Sequence, residues 1–262
     1  MSEYTIVTAR EAERFRELSA EVQTASRPVF LAHDVVVARY WPLLAPTFPD
    51  YQFCLVEQTS GRAVARGNSI PVAFHDTWSS LPAEGLDWVL AQGFRDHAEG
   101  RRPTVLSALY IVVSDAARGT KLSTRMLATM QQIGRARGFD HLIAPVRPSM
   151  KSRYPLIAMA DYCRWHTTHG EPFDPWLRVH VRAGGQVVHP CLRAMAVSGT
   201  RQQWTAWTGM DFPGDGSYVV PHALVPVTVR GAEGCYVEPG IWVVHGLREE
   251  SAFPGTAPES AL

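Results

Sequence analysis

The chain has 262 residues, 46% hydrophobic and 19% charged, so it can bury one large core or two small ones and is not a disordered chain. Its 25 basic and 25 acidic residues cancel to a formal net charge of zero, which argues against binding nucleic acid through bulk charge. No segment approaches the roughly 18 apolar residues of a membrane span, and "MSEYTIVTAREAERFREL" has acids and no apolar run, unlike a signal peptide.

Four cysteines, Cys54, Cys163, Cys191 and Cys235, are widely spaced and form no CxxC pair, so four free thiols in a reducing cytoplasm are expected. Lys121 and Lys151 are the only lysines; the other basic residues are arginines, as expected of a GC-rich, bacterial coding sequence.

In chain order, "TAREAERFRELSAEVQTA" predicts a helix with Thr8 as N-cap, Glu11 three residues on, and Phe15, Leu18 and Val22 at helical spacing. A second helical patch covers "FLAHDVVVARYWPLL". "YQFCLVEQTSGRAVARGNSIPVAF" reads as a β-hairpin about a Thr-Ser-Gly turn, and "LPAEGLDWVLAQGFRDHAEG" as a helix ended by Gly100. Thr104 to Val113 is a nearly continuous apolar run, the pattern of a central buried strand. A helix from about Lys121 follows, with Leu122, Met126, Met130 and Ile133 on one face and a stop at Arg135, Arg137 and Gly138.

"HLIAPVRP" is the next strand. "DPWLRVHVRAGG" predicts a helix with Asp174 as N-cap and Pro175 at the first helical position, and "QVVHPCLRAMAV" returns as a strand. From about Gly199 the chain turns to Trp, turns and short strands. Residues 199–248 are expected as an extension packed on a domain of residues 1–198, with Trp204 and Trp207 in its core, and 249–262 as a disordered tail. Alternating strands and helices give an α/β or α+β class.

Strand, tight turn and helix start come together in "IVVSDAARGTKLSTRMLATM", where Arg118, Lys121 and Arg125 crowd the beginning of the helix. The first N–H groups of a helix lack internal partners, and its dipole favours an anion there. Cations in that first turn cost about 0.3–1 kcal/mol, and a bound pyrophosphate would reverse the sign.

"VVSDAARGTKLSTRML" resembles the acyl-CoA-binding segment of the GNAT superfamily of N-acyltransferases, in which a buried strand ending in Val leads to Arg/Gln-x-x-Gly-x-Gly/Ala and a Leu-bearing helix. Val113 matches the strand end and Arg118 the leading Arg/Gln. Gly119 and Thr120 fill the x-x positions, Leu122 lies between the two glycine positions, and Leu127 is a packing residue. Lys121 and Ser123 stand where the family has small residues, most often Gly. "LRVHVRAGGQVV" resembles the late motif Leu-Tyr-x-x-x-Gly-Phe: Gly184 matches the Gly, Gly185 replaces the Phe, and His180 stands at the tyrosine position. The resemblance is carried by residues 104–190.

The resemblance implies an α+β fold with a mixed central sheet flanked by helices. It implies acetyl-CoA or another acyl-CoA in a V-shaped gap between the long strand and "HLIAPVRP". Pantetheine would pair with the backbone of Ile111, Val112 and Val113, and pyrophosphate would rest on Arg118, Gly119, Thr120, Lys121, Leu122 and Ser123. His180, as an imidazolium near an unperturbed pKa of about 6.5, would protonate the leaving thiolate. A small-molecule amine is the expected acceptor. The long strand offers no carboxylate base at Leu106-Ser107-Ala108; Glu57, His75-Asp76 and Glu238 are conceivable bases, and Asp115 reads as a turn former.

Three alternatives stay open: an acyl-CoA decarboxylase or hydrolase, a non-catalytic CoA-binding module, and an unrelated α/β fold. His166 and His169 lack a convincingly spaced third ligand, so no metal is expected. "RPSMKSRYP" reads as a solvated basic loop, with the 3′-phosphate of CoA or an acidic substrate as its other use. Neither nucleic acid nor membrane is expected as a partner; a dimer contact is one expected use of the extension.

Overall fold

A computed structural model describes residues 3–22, 28–117 and 119–248; Arg118 and the expected tail lie outside the described residues. The first half comprises β1 (Tyr4–Thr8), α1 (Ala12–Glu21), α2 (Val35–Tyr40), α3 (Leu44–Thr47), β2 (Gln52–Glu57), β3 (Ala63–Val72), α4 (Gly85–Ala98), β4 (Val105–Val113) and α5 (Leu122–Ala136). The second comprises β5 (His141–Val146), α6 (Met159–Tyr162), α7 (Pro175–Arg182), β6 (Gly185–Thr200), α8 (Arg201–Thr208), β7 (Gly216–Tyr218), β8 (Val227–Arg230) and β9 (Glu233–Gly246).

The nine strands form one mixed sheet flanked by helices, as expected of an α+β fold. Strands β1 to β4 pair antiparallel in chain order, and β4 and β5 pair parallel. β9 joins β5 on one edge and β6 on the other, and its first residues pair with β8.

One expectation is corrected. Thr8 ends β1 rather than capping a helix, and α1 starts at Ala12 after Glu11. Tyr4–Thr8 is rich in β-branched residues and finds a partner strand, Thr8↔Phe53 through Tyr4↔Glu57, which local capping cannot match. Residues 199–248 are strand-rich and join the sheet of the preceding residues through β9. β9 fills the middle of the sheet, with Ile241, Trp242, Val243 and Val244 fully buried.

The sheet separates two main cores. One, beneath α4 and α8, gathers Phe30, Ile70, Leu90, Ile143, Trp204, Tyr236 and Trp242. The other, beneath α5 and α7, gathers Leu106, Met126, Met130, Leu142, Leu177, Ile241 and Val243. Trp204 is buried and Trp207 packs against the same core, as their helical spacing predicts. All four cysteines are free, and burial raises the thiols of Cys54 and Cys191 to about 12.

Candidate active site

β4 and β5 are hydrogen-bonded only at Leu106↔Leu142 and Ser107↔Ile143. Beyond Ser107 no described strand pairs that edge of β4, while its other edge stays paired to β3 as far as Val113↔Ala65. The β3–β4 register shifts between Asn68 and Ser69, leaving Leu109 as an extra residue in β4. Such a bulge bends and twists its strand. The bulge lies where the two strands part, and a cavity of about 530 Å³ fills the gap. It runs from Ser123 at the start of α5, past β4 and β5, to His180 on α7 and Glu238 on β9.

Ile111, Val112, Val113 and Ser123 line the cavity. Gly119, Thr120 and Lys121 are exposed in the turn before α5, whereas the Leu122 side chain is buried in the core and leaves only its backbone for a ligand. Lys121 adopts φ 60°, ψ 15°, the left-handed conformation that glycine takes freely. A lysine thus holds, at a position where the resemblance places a small residue, a conformation that glycine takes freely. Lys121 makes no side-chain cap to α5; Thr124 and Arg125 N–H donate to its carbonyl, and among the described residues no partner is recorded for the N–H groups of Leu122 and Ser123.

Asp174 holds α7 in place. Its Oδ1 accepts from the Trp176 and Leu177 N–H groups at 2.9 and 3.2 Å, as an N-cap should. Its Oδ2 accepts from Met150 N and Tyr162 Oη, both at 2.8 Å, tying the helix start to the loop after β5. His180, in the last turn, is therefore fixed against the sheet with 2% of its surface exposed.

The His180 ring is bonded inside the protein. Its Nδ1 lies 2.9 Å from His245 Nε2, and His245 Nδ1 lies 3.2 Å from Gln131 Nε2. Gln131 Nε2 also donates to the Ala183 carbonyl at 3.1 Å, which sets the amide orientation because a carbonyl only accepts. A Gln131 donor at His245 Nδ1 puts the His245 proton on Nε2, toward His180 Nδ1, and the His180 proton on its own Nε2; a His245 N–H given to the Ala183 carbonyl reverses both.

Burial lowers the His180 pKa well below its ordinary value, and the neighbouring His245 lowers it further. Burial takes His245 down to about 4 against the opposing Ala183 carbonyl. Burial works against the partly charged imidazolium expected at His180 and favours the neutral ring. Gly185 makes the arrangement possible. A β-carbon there would sit 2.6 Å from His245 Cε1 and 2.8 Å from the His180 carbonyl oxygen. The glycine that replaces the family's Phe leaves the space that His245 occupies.

Of the conceivable bases, Glu238 alone lines the cavity among the described residues. It is 2% exposed; Oε1 accepts from Arg147 Nε at 2.9 Å and Oε2 from Tyr236 Oη at 2.7 Å. Arg147 lines the same cavity and also donates to the His222 carbonyl. The basic loop is thus not the solvated segment expected. Arg147 is ion-paired at the cavity, and Lys151 is buried, donating to the Tyr154 and Leu224 carbonyls, with its pKa lowered to about 8 by burial.

His245, Gln131 and Tyr236 were not legible as site residues. The one available signal was a histidine inside the apolar run "GIWVVHG".

No protein-family model matches the sequence. Among curated proteins, the chain is 33% identical over 248 residues to arginine N-acetyltransferase avaD of Aspergillus versicolor, covering 84% of this chain and 85% of that one. Among solved structures, the loading GNATL domain of CurA from Lyngbya majuscula shares the fold, with a TM-score of 0.59 at 14% identity over 94% of this chain and 98% of that one. The parted strands and a relative 33% identical over most of both chains agree: the chain belongs to the GNAT superfamily of N-acyltransferases.

Proposed function

We propose that the protein transfers an acyl group, acetyl foremost, from acyl-CoA directly to the amine of a small molecule. The observation that carries this reading is the cavity itself. It joins the unpaired edge of β4 and the start of α5 to His180 and Glu238 in one continuous space. The outward peptide groups of Ile111 and Val113 suit the amides of pantetheine, and the Leu122 and Ser123 N–H groups with Lys121 beside them suit pyrophosphate. The similarity to an arginine N-acetyltransferase supports an amine acceptor.

In this reading the amine nitrogen attacks the thioester carbon, the N–C bond forms and the C–S bond breaks. The sulfur gains one proton. His180 Nε2–H stabilises the developing negative charge by hydrogen bonding, as a neutral donor fixed by His245. Loss of one such preorganised donor typically costs about 10²–10³-fold in rate. Four free cysteines support a reducing compartment such as the cytoplasm.

The test is release of free CoA thiol from acetyl-CoA with and without an amine panel. Amine-dependent release with stoichiometric amide supports the reading. Release from malonyl-CoA or acetyl-CoA at the same rate without amine would replace it with decarboxylation or hydrolysis.

A further inference from the structure

We propose that the acceptor is an α-amino acid, held by its α-carboxylate on Arg147 and acylated on the α-nitrogen that sits against Glu238. This rests on the transferase reading and names its substrate class.

Successive side chains of a strand point to opposite faces. On β9, Tyr236 and Trp242 belong to the core beneath α4, and Ile241 and Val243 to the core beneath α5 and α7. Glu238 shares the parity of Tyr236 and Trp242 and is bonded to Tyr236 Oη. His180 belongs to α7, on the other face. The gap between β4 and β5 is where the two faces meet, so a thioester on the His180 side meets a nucleophile arriving from the Glu238 side.

The charge on that second side is specific. Among the described lining residues Glu238 is the only carboxylate and Arg147 the only permanent cation, and they are in contact at 2.9 Å. Around them stand Leu31, Leu86, Ala194 and Met195, all apolar. A simple amine would bring an uncompensated positive charge onto a neutral pair in an apolar pocket, which is costly. A carboxylate and an ammonium one carbon apart match a guanidinium and a carboxylate side by side. The Arg147 guanidinium has five N–H donors; Glu238, the His222 carbonyl and Tyr236 are its recorded partners, which leaves donors for a ligand carboxylate.

The protons balance. The α-ammonium gives one proton to Glu238 before attack, Glu238 passes it to water, and the nitrogen loses its second proton as the N–C bond forms. That second proton ends on the sulfur when the C–S bond breaks.

The experiment measures thiol release by the full chain with acetyl-CoA, using the common α-amino acids and the amines made by decarboxylating them, with L-arginine and agmatine as the first pair. At least one amino acid should exceed its decarboxylated partner tenfold or more in kcat/KM, and mass spectrometry should place the acyl group on the α-nitrogen. Arg147→Lys, which keeps the charge that Glu238 needs, should raise KM for the amino acid about tenfold and so cut its preference over the decarboxylated amine by about that factor, with the thermal stabilisation by acetyl-CoA retained. Equal rates for each pair, acylation elsewhere, an Arg147→Lys effect shared by both acceptors, or no turnover of any amino acid by a protein that acetyl-CoA stabilises against heat would each overturn the proposal. Absence of that thermal stabilisation would instead bring down the transferase reading beneath it.

Discussion

His180 Nδ1 stands 2.9 Å from His245 Nε2, and both rings are buried. The pair ties chemistry to stability, because both imidazoles are held neutral by burial. A depressed histidine pKa favours the fold while the unfolded chain is also neutral, above about 6.5. As pH falls below that value the unfolded chain binds protons that the folded pair refuses, so stability is lost between about pH 6.5 and 4. Melting temperatures should fall over this window, and His245→Asn should flatten the fall. An equally steep fall in the variant would mean that His245 does not titrate as described.

The same pair predicts the rate. His180→Ala should lower kcat about 10²–10³-fold, while the thermal stabilisation by acetyl-CoA stays intact. Between pH 7 and 8 no imidazole ionisation should appear in kcat, because His180 is already neutral. A kcat profile with a step near 6.5 would restore the imidazolium mechanism.

Gly185→Ala places a methyl group 2.6 Å from His245 Cε1 and 2.8 Å from a backbone oxygen. Overpacking of this kind typically costs about 1–3 kcal/mol. Denaturant melts should show that loss, and turnover should fall as well, because the ring that must move is the one orienting His180. A variant with unchanged stability and rate would show the space to be larger than it is drawn here.

Lys121 pays for its left-handed backbone, φ 60°. Lys121→Gly should raise stability by about 0.5–1 kcal/mol, the relief of strain less the entropy that glycine loses. Lys121→Glu should weaken acetyl-CoA binding, and the difference between the two variants should shrink with added salt. Equal affinity for both variants at low salt would remove the lysine charge from the binding site.

Asp87 shows the opposite pH sign. Burial first, and then Asp34 beside it, push the Asp87 carboxyl up to about 8, against a backbone N–H from Ala196. Asp34 is already occupied, accepting from Val36, Val37 and Ala196 N–H groups at 2.8–2.9 Å. A raised carboxyl pKa stabilises the fold below the unfolded value, and that contribution is lost as pH rises from about 4 towards 8. Asp87→Asn should remove this slope and make the variant the more stable protein at pH 8, as read from thermal melts at matched ionic strength. A steeper loss in the variant would contradict the raised Asp87 carboxyl.

The local signals were readable in the sequence, and the long-range ones were not. Asp174 and Pro175 announce α7, and the apolar run of Val105–Val113 announces β4, because caps and buried strands are written in adjacent residues. β1 and β9 depend on partners about 50 and 100 residues away, and spacing does not reveal those partners. His180 was found through a motif position, but its charge state was set by His245, 65 residues on. Arg147 and Glu238 are 91 residues apart, and each alone reads as an ordinary surface charge. The Gly185 departure made sense only once the ring filling the vacated space was known.

The most direct measurement is the melting temperature and thiol release of the same sample with acetyl-CoA, with and without an acceptor amine. At 100 times its dissociation constant acetyl-CoA should add about 2.7 kcal/mol of stability, and thiol should appear only when the amine is present. No shift with acetyl-CoA, or thiol release indifferent to the amine, would contradict the proposal that the gap between β4 and β5 brings an acyl-CoA and an amine together.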